Sequence, residues 1–65
     1  MIFFEVHKTI AEKGLKKIFI ARELGLDPTV LSKKLNGYIP MSEAEKMRIA
    51  QILGQPVNKL FPPRN

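Results

Sequence analysis

The chain has no cysteine and no tryptophan, a single histidine and a single tyrosine. Without cysteine, no disulfide and no thiolate-bound metal can staple it. His7 alone supplies no nucleophile–base pair and no metal cluster, and no glycine-rich phosphate loop is present. Neither catalysis nor a cofactor or metal is therefore expected. No apolar run approaches the roughly 18–20 residues of a membrane span. The opening Met1-Ile2-Phe3-Phe4 meets Glu5 at once, so it does not read as a signal peptide. These absences point to a cytoplasmic setting, in a prokaryotic or phage-infected cell. Acidic residues are also scarce: 6 Asp and Glu stand against 11 Lys and Arg, a formal charge of +5. Such an excess favours an acidic partner, either nucleic acid or an anionic membrane.

What is present reads as one small helical domain. The 65 residues leave room for a single core. A chain of this size buries only about 60% of the surface that its unfolded form exposes, so tight helix packing or a partner subunit must supply stability. Gly14, Gly25, Gly37 and Gly54 each follow a stretch of helical periodicity, the place where glycine stops a helix. Phe3, Val6 and Ile10 mark the buried side of a first helix ending at Lys13. A second runs over Lys17–Leu24 with Ile20, Ala21 and Leu24 inward, and Ile18 and Phe19 adding apolar surface. Asp27 caps a third, with Pro28 at its first position and Leu31 and Leu35 one turn apart. Ser42 and Glu45 form a capping box for a fourth, whose apolar surface comes from Ala44, Met47, Ile49, Ala50, Ile52 and Leu53. Met41 and Met47 read as core or loop filler. A brief fifth segment carries Val57, Leu60 and Phe61 before Pro62-Pro63. The domain is expected over 1–61, with 62–65 a tail that includes Arg64 and Asn65.

Only Gly25 and Leu26 separate the second helix from the cap of the third, a helix-turn-helix pattern over about 17–36. The run Gly14-Leu15-Lys16-Lys17, Ala21, Leu24-Gly25-Leu26, Leu31-Ser32-Lys33, Leu35-Asn36-Gly37 resembles the lambda repressor-like, Cro/CI-type family. The later Ile49-Ala50-Gln51-Ile52-Leu53-Gly54, followed by Leu60-Phe61, is similar to the end of that domain. The resemblance covers about residues 4–61. It implies an all-α, compact five-helix fold, usually dimeric, that binds double-stranded DNA and regulates transcription.

On the third helix, positions 28, 29, 32, 33 and 36 make one stripe at about 100° per residue. In the family this stripe faces the major groove. The resemblance thus implies base contacts from Pro28, Thr29, Ser32 and Lys33, with Thr29 and Lys33 the best suited by chemistry. It implies phosphate contacts from Lys17 and Asn36. Lys16, Lys34 and Tyr38 are added beside them as candidates for the same backbone. Three residues depart from the family pattern. Pro28 replaces a base-reading polar residue, Lys17 a common glutamine and Lys34 a usually apolar side chain. The stem of Lys34 would then cover the core while its ammonium reaches water or phosphate.

The expected protein is a Cro-like repressor that pairs through its own domain, with Val57, Leu60 and Phe61 as candidate interface residues. Two other readings stand beside it. One is an antitoxin-like or accessory module whose main partner is another protein, since a fold does not fix function. The other, a basic membrane-surface peptide, fares badly because the basic residues are split among short capped helices. No small-molecule ligand is expected.

Overall fold

Helices form where the capping and stop residues place them. A computed structural model describes residues 3–62; the expected tail residues Arg64 and Asn65, and Met1 and Ile2 of the opening run, lie outside them. The order is α1 (Phe4–Lys13), α2 (Lys17–Leu24), α3 (Pro28–Leu35), α4 (Glu43–Leu53) and α5 (Val57–Leu60). The described residues contain no strand. The structure is all-helical, as expected.

The turn between α2 and α3 shows why the stops work. Gly25 sits at φ +71, a left-handed conformation that costs other residues roughly 1–2 kcal/mol. Its N–H donates to the Arg22 carbonyl (3.1 Å) while that of Leu26 donates to the Ala21 carbonyl (2.8 Å). This pair of bonds satisfies two carbonyls that a helix end leaves open. The same pairing closes α1 through Gly14 and Leu15, α3 through Gly37 and Tyr38, and α4 through Gly54 and Gln55.

Packing joins all five helices. α2 lies against α3 and α4, whereas α1 lies against α4 and α5, and α4 against α5. The core holds Val6 and Ile10 of α1, Ile20 and Ala21 of α2, Leu31 and Leu35 of α3, and Ile49, Ala50 and Leu53 of α4. Leu24 and Leu26 are only partly buried against it. The start of the chain is tied in as well: Phe3 N–H donates to the Leu35 carbonyl at 3.1 Å. The Phe3 ring meets Phe61 edge-on, 4.9 Å between centroids.

That last contact corrects one expectation. Leu60 and Phe61 are largely buried by this chain's own residues, so little of either is left to meet a second subunit. Val57 alone of the three is only partly buried. Further apolar residues stand outside the core, Phe4 at the start of α1 among them. Ile18 and Phe19 face outward on α2, and Met47 on α4 is 58% exposed rather than core filler. No helix among the described residues is long and apolar enough to cross a membrane.

Candidate nucleic-acid interface

The outer side of α3 is shaped by its start. The Asp27 carboxylate accepts from the Thr29 N–H at 2.8 Å, and Pro28 occupies the first turn. With Leu31 and Leu35 drawn inward, Pro28, Thr29 and Lys33 are exposed, while Ser32 and Asn36 are half-buried. The Asn36 amide lies 3.5 Å from the Ser32 hydroxyl, to which it donates. Pro28, Thr29, Ser32 and Lys33 therefore share one side of α3, continued by Asn36 at its C-cap, and Pro28, Thr29 and Lys33 are the most open of the five. Tyr38 follows the helix stop and is 80% exposed.

α2 begins differently. Lys16 is extended at φ −100, ψ 140, no side chain caps the helix, and its first turn contains no acidic residue. Lys16 and Lys17 are both exposed. A cation at a helix N-terminus opposes the positive end of the helix dipole. This helix thus starts on two charges that its own backbone disfavours.

Around α4 the charges are paired. Lys34 reaches Glu45 Oε2 at 2.5 Å, Lys46 lies 3.7 Å from Glu43, and Arg48 lies 3.2 Å from Glu23 of α2. Glu45 works with both oxygens: Oε1 accepts from the Ser42 N–H (2.9 Å), while the Glu45 N–H donates to Ser42 Oγ (3.1 Å). The hydrogen bond from the Lys34 ammonium holds the Glu45 carboxyl below the usual carboxylate range; partial burial opposes this and the Ser42 N–H adds to it.

Lys34 therefore differs from the other candidate phosphate contacts. Its side chain is 14% exposed and its ammonium is taken by Glu45. The expected core-covering stem is present, but the free charge is not. Among the described residues, Lys16, Lys17 and Lys33 make no ion pair. Arg22 on α2 is likewise exposed and unpaired. It was given no role above, although its place outside the Ile20, Ala21 and Leu24 set signals exposure. No group of His, Cys, Asp or Glu among the described residues could hold a metal ion. The chain matches no protein-family model, no curated protein and no solved structure.

Proposed function

We propose that α2 and α3 form a helix-turn-helix and that the protein is a Cro/CI-type regulator of transcription. In this reading it binds double-stranded DNA as a dimer and represses by occupying an inverted-repeat operator. One observation carries the reading. Three of the carboxylates bind cations around α4, while the start of α2 and the outer side of α3 keep Lys16, Lys17 and Lys33 unpaired. Lys8 and Lys13 of α1 and Lys59 of α5 are unpaired as well, but only the start of α2 and the outer side of α3 combine free cations with the stripe that would meet DNA.

Thr29 and Lys33 are assigned to bases, Lys33 as a donor to guanine acceptors and Thr29 through its hydroxyl and methyl. Pro28 offers an apolar contact, suited to a thymine methyl, and Ser32 a short-range polar one. Lys16, Lys17, Asn36 and Tyr38 are assigned to the phosphate backbone. The longest dimension is 31 Å, so two recognition helices set about 34 Å apart, one turn of B-DNA, call for two copies. With Leu60 and Phe61 withdrawn into the core, pairing falls to Val57 and its surroundings. There Phe3, Ile39, Met41 and Val57, with the remaining edge of Phe61, help to line a groove of about 520 Å³.

Selection of bound duplexes from a random pool tests the reading. An inverted repeat with half-sites one helical turn apart is expected. Equal binding of all sequences at physiological salt would overturn the regulator. So would a stable co-purifying protein partner combined with no DNA binding, which is the outcome the accessory-module reading requires. A Lys33→Ala variant should relax preference at one or two positions, whereas Lys17→Ala should weaken binding to all sequences alike.

A further inference from the structure

Lys33 and Lys34 are adjacent in the last turn of α3, yet their charges meet different fates. One residue is about 100° of helix, which separates the exposed Lys33 from a Lys34 turned toward α4. Lys34 is 14% exposed and Glu45 20% exposed, and the ammonium sits on Oε2. The other oxygen of Glu45 is anchored to the Ser42 backbone, within the capping box that starts α4. The carboxylate is therefore not a mobile surface group that happens to lie near a lysine. It is fixed in place by the helix that it caps, and it presents its free oxygen to the end of α3.

We propose that Glu45 is a positioning residue for DNA binding, which withholds Lys34 from phosphate so that the end of α3 offers one cation instead of two. This rests on the DNA-binding reading above and deepens it. Each lysine that reaches phosphate adds affinity for every sequence equally, because phosphate carries no sequence information. Holding one back lowers binding to random DNA while leaving the base contacts of Thr29 and Lys33 intact. Glu45 thus lowers the sequence-independent part of the affinity, and its salt dependence, without touching DNA.

The test measures the salt dependence of binding to a mixed-sequence duplex for the wild type, for Glu45→Gln and for Glu45→Gln combined with Lys34→Met. Glutamine can still accept from the Ser42 N–H, since Glu and Gln both serve the capping box. Only the charge facing Lys34 is lost. Glu45→Gln should bind random duplex more tightly at low salt, with a log–log salt slope steeper by about 0.9, the value of one added phosphate contact. The double variant, which keeps an apolar stem at position 34, should return to the wild-type slope. A purely structural role for the pair predicts the opposite sign, because a loosened α3 binds less well. An unchanged slope in Glu45→Gln overturns the proposal. So does a double variant shallower than wild type by about 0.9, which would mean that Lys34 already contacts phosphate.

The wild-type protein supplies a second readout that needs no variant. On adding the duplex, the NMR signals of the Lys17 and Lys33 side-chain amino groups should move, and that of Lys34 should not; a Lys34 shift as large as theirs overturns the proposal. If the wild type binds no duplex DNA at all, the functional reading falls together with this inference. If it binds and only the Lys34 results fail, the inference falls alone.

Discussion

The first turns of α2 and α4 solve the same physical problem in opposite ways. Both must satisfy N–H groups that have no partner within the helix, and both carry the positive end of a helix dipole. α4 has a Ser42 cap, a reciprocal bond from Glu45, and Glu43 beside it. α2 has Lys16 and Lys17, no side-chain cap and no acidic residue in its first turn. The first arrangement favours folding. The second works against folding locally, and helices that break such rules do so most often where a binding partner is served. The contrast is in keeping with the proposal that the start of α2 faces DNA, although α1 and α5 also begin without a side-chain cap.

The largest test of this contrast is at α4. Glu45→Ala removes the Lys34 pair and half of the capping box together, and should cost about 1.5–3 kcal/mol, the range for hydrogen bonds to charged groups. Urea unfolding followed by circular dichroism measures it; a loss no larger than that of an ordinary surface substitution would remove α4 from the argument. Acid should reproduce part of the effect. The folded Glu45 carboxyl lies below its ordinary value of 4.5, so its contribution is present above that pH and is lost as the pH falls through the lower folded value. Thermal midpoints should therefore drop more steeply below about pH 4.5 in the wild type than in Glu45→Gln.

Ser42→Ala comes next, with an expected loss of about 1 kcal/mol for an N-cap serine. The smallest change is the most discriminating. Lys17→Glu should stabilise the folded chain by about 0.3–1 kcal/mol, because it replaces a disfavoured charge with a favoured one at the start of α2. The same substitution should weaken binding to duplex DNA of every sequence. A variant that is both less stable and equally able to bind would break the contrast at its centre.

Helix boundaries were legible because local residues decide them. Asp27-Pro28, the Ser42 and Glu45 spacing, and the glycine stops act within one turn, and α2 and α3 run over the residues expected. The outward placement of Pro28, Thr29 and Lys33 was legible too, since the buried Leu31 and Leu35 fix the face of a short helix. The fate of Lys34 was not. Its partner lies 11 residues away across a loop and on another helix, and no periodicity within α3 reports that. The same limit misplaced Leu60 and Phe61. Alone, α5 has more apolar surface than four residues need; the excess is explained only when Phe3, from the far end of the chain, closes on Phe61.

Tyr38, described above as an exposed residue just past the stop of α3, has a consequence for how the molecule can be watched. It is the one tyrosine in a chain without tryptophan, so the intrinsic fluorescence of the protein comes from a single known place. That place adjoins the helix proposed to read DNA. A ring so open to solvent emits as free tyrosine does until something covers it. Titration with duplex should therefore change the emission in step with occupancy, with no label attached and no background from the core. If α3 meets DNA as proposed, the protein carries its own optical gauge of that docking, set just past the end of α3.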